Sequence, residues 1–130
     1  METVFTKIIN GYIPSFKVAE TNEYYAFLDT NPLAEGHTLV IPKKPVDYIF
    51  DLTDDELSGL FIFAKKIAKS IKLNFPCTKI GIAVIGIEVP HAHIHLVPIN
   101  GVNDIDFKKD KLKLSPERLS EIANIIAKSI

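Results

Sequence analysis

The stretch His91-Ala92-His93-Ile94-His95-Leu96-Val97 carries most of the information in this sequence. It holds three of the four histidines, and the fourth is His37. The histidines alternate with apolar residues, so in a β-strand the three imidazoles would share one face while the apolar side chains would face a core. The pattern therefore predicts a strand over residues 91–98 that presents a row of imidazoles.

A row of imidazoles suits phosphoryl chemistry. Near neutral pH an imidazole acts as a nucleophile, a general acid or base, or a hydrogen-bond donor, depending on its neighbours. Like side chains two residues apart in a strand are separated by about 6.6 Å, which fits a phosphate and its ester oxygens. One imidazole can attack phosphorus while another protonates the leaving group and a third contacts the phosphate oxygens.

Two other interpretations of the histidine stretch stay open at this point. The three residues could be ordinary structural histidines, or they could ligate zinc, because histidines at alternate strand positions are common zinc ligands. A metal site has little support elsewhere in the chain. Cys77 stands alone, and the nearest acidic residues, Glu88 and Asp104, lack paired ligand spacing.

Strand patterns flank this stretch and favour an α+β fold with an antiparallel sheet, because strands and helices do not alternate regularly. Runs rich in Val, Tyr and Phe at residues 16–20 and 23–29, separated by the turn-prone Thr21-Asn22, predict a hairpin. A β-branched run at residues 37–42 predicts a third strand, and an apolar run at residues 79–87 predicts a buried one.

Two helices are predicted. Apolar residues at steps of three and four indicate a long amphipathic helix over residues 53–73, whose start carries the capping-box pair Thr53 and Glu56. Ser115-Pro116 marks the start of a C-terminal helix, with Ser115 as N-cap. Residues 100–113 between the last strand and this helix are polar, and we expect a surface loop.

Composition limits the possible partners. The chain has 130 residues, which predicts a single domain over residues 1–130. Fifteen basic and sixteen acidic residues leave a net charge of -1, so we expect neither nucleic acid nor a membrane as a partner. The single cysteine, Cys77, and the absence of a signal-peptide pattern near Met1 indicate a cytoplasmic protein.

The histidine stretch is similar to the signature of the histidine triad family, in which three histidines alternate with apolar residues. The resemblance extends from about Phe5 to Pro98 and covers most of the chain. Its further segments are Phe5–Pro14, Ala26–Asp29 and Gly36–Lys43. It implies one histidine triad domain over residues 1–130, a homodimer whose two five-stranded sheets join into one of ten strands, a purine nucleotide as the small-molecule partner, and no cofactor.

The resemblance also assigns roles to the histidines. His93 corresponds to the nucleophile that becomes nucleotidylated, and a backbone carbonyl of the motif holds its other ring nitrogen. His95 and His91 correspond to residues that contact the phosphate and the leaving group. His37 corresponds to the fourth family histidine, packed beside the triad.

The nucleotide-binding residues implied by the resemblance lie outside the triad. Asp29 corresponds to the carboxylate that accepts hydrogen bonds from the ribose hydroxyls, and Thr30 would lie beside the apolar residues that surround the base. The apolar walls around the base correspond to Phe5, Ile8, Phe27 and Leu28. From the sequence alone Phe5, Ile8 and Phe27 fit core residues better than ligand-binding ones. Asp29 could be a turn residue that ends a strand, and His37 could be a buried supporting histidine.

The implied reaction is hydrolysis or transfer at the α-phosphate of a purine nucleoside phosphoramidate or related AMP ester, through a covalent nucleotidyl-histidine. Two departures from the family pattern bear on this expectation. Thr3, Thr6 and Pro45 stand where many bacterial members have zinc ligands, so we expect no structural zinc and a His91 side chain free for the active site.

The second departure lies just before the triad, where residues 82–90 are shorter and more apolar than the polar, glycine-rich family segment. Glu88 in this segment would contact a leaving group or repel a polyphosphate. We therefore favour small phosphoramidate or acyl-nucleotide substrates. The alternatives are a dinucleoside polyphosphate hydrolase, a nucleotide-binding module with little turnover, and a metal-dependent protein that uses the triad as ligands.

Overall fold

The computed structural model describes all residues from 1 to 130 and has one five-stranded sheet. The strands are β1 (Lys17–Glu20), β2 (Tyr24–Leu28), β3 (Thr38–Pro42), β4 (Lys79–Ala83) and β5 (Ile94–Ile99). Their order across the sheet is β1-β2-β3-β5-β4, and every neighbouring pair is antiparallel. The predicted α+β fold with a five-stranded antiparallel sheet is confirmed.

Three helices accompany the sheet: α1 (Val4–Ile9), α2 (Asp54–Asn74) and α3 (Pro116–Lys128). Thr53 and Glu56 form the predicted capping box at the start of α2, and Ser115 caps α3 with Pro116 as its first residue. Helix α1 is not among the predicted helices. It begins with a second capping box, which Thr3 and Thr6 form.

The two faces of the sheet carry different cores. Helices α2 and α3 cover one face and enclose the larger hydrophobic cluster, while α1 packs on the other face over a smaller one. In β2 the side chains alternate between them, with Tyr25 and Phe27 on the α1 face and Ala26 and Leu28 on the α2 face. This alternation decides which residues can reach the histidines.

Gly36 fixes the entry into β3, immediately before His37. Its φ is +98°, a conformation that suits glycine because it has no Cβ. A Cβ at this position would lie 3.2 Å from the Ile71 side chain and 3.3 Å from the Phe75 ring. The backbone therefore turns tightly against α2 at Gly36, and the side chain of the next residue, His37, lies on the opposite side of the sheet.

Two predicted strands differ from the structure. The apolar run at residues 79–87 is neither a continuous strand nor buried, because β4 ends at Ala83 and is an edge strand with one neighbour. The predicted strand at residues 91–98 is regular only from Ile94, so His91 and His93 precede β5 in irregular backbone. The expected apolar side of this stretch is confirmed, since Ala92, Ile94 and Leu96 lie in the larger core.

None of the helices α1, α2 and α3 combines the length and the hydropathy that a membrane-spanning helix requires.

Candidate active site

His93 is oriented by a backbone carbonyl. Its Nδ1 lies 2.7 Å from the carbonyl oxygen of His91, which can only accept a hydrogen bond. In the neutral imidazole the proton is therefore on Nδ1, and Nε2 keeps its lone pair. The Phe5 ring packs edge-on against His93 with ring centroids 5.0 Å apart. The ring is held in the tautomer that a nucleophilic Nε2 requires.

His37 and His95 form a chain of hydrogen bonds whose direction is set by the backbone. The Leu33 amide donates to Nδ1 of His37 at 3.0 Å, so the proton of the neutral His37 ring is on Nε2. This Nε2 lies 3.0 Å from Nδ1 of His95 and donates to it. His95 must then carry its own proton on Nε2, which makes that atom a donor toward a ligand.

Burial keeps both of these rings neutral. Loss of hydration lowers the pKa of His37 to about 3, and the charges of His95 and Lys111 act in the same direction. Burial, followed by the charge of His93, lowers the pKa of His95 to about 4. At pH 7 the two rings therefore offer N–H dipoles and no positive charge.

His91 corrects one expectation from the sequence. Its side chain has no exposed surface, its Nε2 donates to the Pro42 carbonyl at 2.7 Å, and its Nδ1 lies 2.9 Å from Oγ1 of Thr3. Burial lowers the pKa of His91 and the Pro42 hydrogen bond opposes this. The prediction that the His91 ring is free to contact phosphate is wrong, because both nitrogens are already occupied. His91 acts on the site through its carbonyl group.

Asp29 lies at the end of β2, next to the histidine chain. One carboxylate oxygen accepts from the Asn31 amide at 2.9 Å, and the other lies 3.6 Å from Nε2 of His37, beyond ordinary hydrogen-bond distance. Burial raises the pKa of Asp29, while the Asn31 amide, His93 and Lys111 oppose the rise. The carboxylate is one-fifth exposed and keeps acceptor capacity for a ligand. Thr30 beside it is exposed.

An aromatic wall stands beside the histidines. Phe5 and Phe27 are buried in the smaller cluster with ring centroids 5.5 Å apart, and Ile8 is half-buried against it. Leu28 does not belong to this wall. It is 2% exposed and lies in the larger core on the opposite face of the sheet, because successive strand side chains alternate. The prediction that Leu28 lines the base pocket is wrong.

Asp29, His37 and His95 are also close enough to suggest a metal site, with one potential ligand atom each within 4.8 Å of the others. The proton positions do not fit this use. A metal on Nε2 of His37 would displace its proton to Nδ1, which would then face the Leu33 amide proton. The cluster fits a hydrogen-bonded chain better than a divalent cation.

At two of the positions where the family has structural zinc ligands, this chain has threonines with a different role. The Thr3 and Thr6 hydroxyls take part in the capping box of α1, and Thr3 reaches the His91 ring as well. Hydroxyl groups are poor zinc ligands in comparison with thiolates. These residues therefore do not fit a structural zinc ion.

Two site residues could not be predicted from the sequence. The Phe107 ring packs against His95 with ring centroids 4.7 Å apart, and the charge of Lys111 acts on Asp29 and His37. Both lie in the predicted surface loop, which contains a single 3-10 turn at Val102–Asp104 and is otherwise irregular. A polar loop has no periodicity from which its contacts can be inferred.

Together these features define a class: an α+β protein with a cluster of hydrogen-bonded histidines at one face of its sheet, whose proton positions suit phosphoryl chemistry. Residues 10–101 match the HIT domain, the domain of the histidine triad family. The chain belongs to this family.

Relatives and solved structures agree with this assignment. Adenosine 5'-monophosphoramidase HNT1 of Saccharomyces cerevisiae is 43% identical over 96 residues, which cover 73% of this chain but only 61% of the yeast protein. Adenosine 5'-monophosphoramidase hnt1 of Schizosaccharomyces pombe is 31% identical over 132 residues and covers 100% of this chain and 99% of its own. The crystal structure of a Hit-like protein involved in cell-cycle regulation from Bartonella henselae superposes with a TM-score of 0.85 at 30% identity, covering 99% of this chain and 97% of that one.

Proposed function

We propose that this protein hydrolyses purine nucleoside phosphoramidates, or related AMP esters, at the α-phosphate through a nucleotidyl intermediate on His93. The observation that carries the proposal is the 2.7 Å hydrogen bond from Nδ1 of His93 to the His91 carbonyl. It directs a lone pair of Nε2 away from the backbone. Two relatives named adenosine 5'-monophosphoramidase support this substrate class.

Binding would use the groups around the histidines. The base would lie against Phe5, Phe27 and Ile8, whose apolar surfaces are contiguous. The Asp29 carboxylate would accept hydrogen bonds from the ribose hydroxyls, which are charge-assisted and therefore strong. The α-phosphate would then lie between His93 and His95, whose ring centroids are 5.0 Å apart.

The first chemical step is in-line attack of Nε2 of His93 on the α-phosphorus. The bond from nitrogen to phosphorus forms as the bond to the leaving amine breaks. The amine takes a proton from Nε2 of His95, which is the donor that the hydrogen-bond chain provides. Loss of this proton leaves a negative charge on the His95 ring, and the positive charge on the neighbouring nucleotidylated His93 ring compensates it until water returns the proton.

In the second step water attacks the same phosphorus and restores His93. One water proton returns to Nε2 of His95, and the hydroxyl group remains on phosphorus as part of the nucleoside monophosphate. Across both steps one water is consumed and one amine is released, so all atoms balance. His37 would act by holding the His95 ring in its required tautomer.

We also propose that the protein is a homodimer joined through β4. This strand pairs only with β5, and an unpaired strand edge favours addition of another strand. Exposed apolar side chains surround the edge, and a second copy would bury them. They are Ile82, Ile85, Ile87, Tyr48, Phe50 and Phe61. A single domain over residues 1–130 and a cytoplasmic location stay predictions.

Steady-state kinetics test the proposal. Wild-type protein, with EDTA present, should release AMP from adenosine 5'-phosphoramidate, and kcat/KM should exceed that for diadenosine tetraphosphate at least about tenfold. Activity that requires added metal would support the metal-dependent alternative, and analysis of the metal content of the purified protein would check it. If the protein binds AMP but releases AMP from neither substrate, the result would support a nucleotide-binding module with little turnover.

A further inference from the structure

Residues Asp106–Leu112, which we call the strap, lie beside the histidines although they are more than ten residues beyond the triad. The Phe107 ring centroid is 4.7 Å from that of His95 and 6.2 Å from that of His37. At its other end the Leu112 amide donates to the Pro32 carbonyl at 2.9 Å. The strap is therefore tied at both ends to residues that border the candidate site.

Lys111 stands between these two anchors. Its ammonium group donates to the carbonyl oxygens of Phe107 and Lys109, which curls the side chain back over the strap. An ammonium group has three N–H donors, so one donor remains for another acceptor. Lys111 forms no ion pair with a carboxylate, in contrast to Lys109, which lies 4.0 Å from Asp104.

Apart from Lys111, the candidate site has no permanent positive charge. His37 and His95 are neutral at pH 7, and the Asp29 carboxylate adds a negative charge. An anionic phosphate placed there needs compensation beyond N–H dipoles. Lys111 is the only lysine or arginine whose charge acts on the pKa of Asp29 and of His37.

We propose that Lys111 is a specificity-determining residue that favours nucleotides with an anionic phosphate over uncharged nucleosides. This inference rests on the proposed function, because it assumes that a nucleotide binds beside the histidines. Lys111 supplies the cation, and the hydrogen bonds to the strap carbonyls hold that cation in place. If Lys111 only stabilised the strap, it would form the same two hydrogen bonds, but its replacement would weaken the binding of charged and uncharged ligands alike.

The test compares AMP with adenosine as ligands for four proteins by titration calorimetry. Lys111→Met keeps the aliphatic length and removes the charge, Lys111→Arg restores the charge, and Lys113→Met is the matched control at an exposed lysine two residues away. For Lys111→Met we expect the Kd of AMP to rise by about tenfold while the Kd of adenosine changes less than about twofold. Lys111→Arg and Lys113→Met should bind both ligands like wild type.

Salt provides a second readout. Added salt should weaken AMP binding to wild type more steeply than to Lys111→Met, because the charge of Lys111 is partly exposed to screening. Equal loss of AMP and adenosine binding in Lys111→Met would assign a structural role and overturn the inference. Unchanged AMP binding in that variant would also overturn it while leaving the proposed function intact. Failure of wild type to bind AMP at all would overturn both.

Discussion

The Nε2 atom of His37 lies 3.0 Å from Nδ1 of His95, and the Leu33 amide donates to the other nitrogen of His37. A backbone amide cannot accept a proton, so it sets the direction of both hydrogen bonds. The tautomer of His95 is thereby decided by a residue more than 60 positions away in the chain. In this chain of hydrogen bonds the Nε2–H of His95 is left without a protein partner and can donate to a ligand.

The direction of these hydrogen bonds predicts which ring nitrogen of each histidine carries the proton. Nitrogen NMR of protein labelled in its histidines should show His37 and His95 as neutral Nε2–H tautomers at pH 7, and His93 as Nδ1–H when neutral. The His37 and His95 signals should not titrate between pH 8 and pH 5.5, because their pKa values are lowered to about 3 and about 4. An Nδ1–H tautomer at His37 would contradict the assigned chain.

The same groups make stability depend on pH. Between about pH 6.5 and pH 4 these histidines bind protons in the unfolded chain but not in the folded protein, so unfolding becomes easier as the pH falls. We expect the free energy of unfolding, measured with urea, to decrease by a few kcal/mol, roughly, from pH 7 to pH 4.5. His37→Asn should show a shallower slope, with one titrating ring fewer. A free energy that rises over this range would contradict the account.

The Thr3 hydroxyl should contribute to stability through His91. Thr3→Val removes the hydroxyl at nearly constant volume, which leaves Nδ1 of a buried imidazole without a partner and removes the cap of α1. The expected loss is about 1–3 kcal/mol in the free energy of unfolding. Thr3→Ser is the matched control and should lose less, because it retains the hydroxyl. Equal stability of Thr3→Val and wild type would show that the hydrogen bond contributes nothing.

The proposed homodimer can be broken at the exposed edge. Ile85 is 53% exposed and follows β4, so Ile85→Lys should place a charge in the joined surface and give a monomer by light scattering. Ile130→Lys is the control, since Ile130 is similarly exposed at 51% but follows α3, which packs over β1 at the opposite edge of the sheet. A dimeric Ile85→Lys protein, or a monomeric wild type, would refute this interface.

The sequence predicts what periodicity and local caps control. The hairpin, the third strand, α2 and α3 follow from alternation, turn residues and N-caps, and the structure confirms them. The resemblance to the family misplaces Leu28, because side chains along β2 alternate between the two faces and Leu28 lies opposite Phe27. The sequence also does not predict the burial of the His91 ring, because its partners, Thr3 and the Pro42 carbonyl, are distant in the chain.

Contacts made by backbone groups and loops cannot be predicted from the sequence for a related reason. The amide of Leu33 has no side-chain signature, and the contact between Phe107 and His95 depends on how an irregular loop returns to the sheet. The zinc positions illustrate the opposite case. The sequence shows directly that the family's zinc ligands are replaced, but the hydrogen bond from Thr3 to His91 joins residues 88 positions apart and is seen only in the structure.

The central claim is that Nε2 of His93 attacks the α-phosphorus, and trapping of the intermediate tests it most directly. Wild type and His93→Ala are incubated with adenosine 5'-phosphoramidate, quenched under mildly alkaline conditions, digested and analysed by mass spectrometry. The account predicts an AMP adduct on the peptide that contains His93 in wild type only, with AMP affinity largely retained by the variant. AMP release that persists in His93→Ala, or an adduct on another residue, would contradict it.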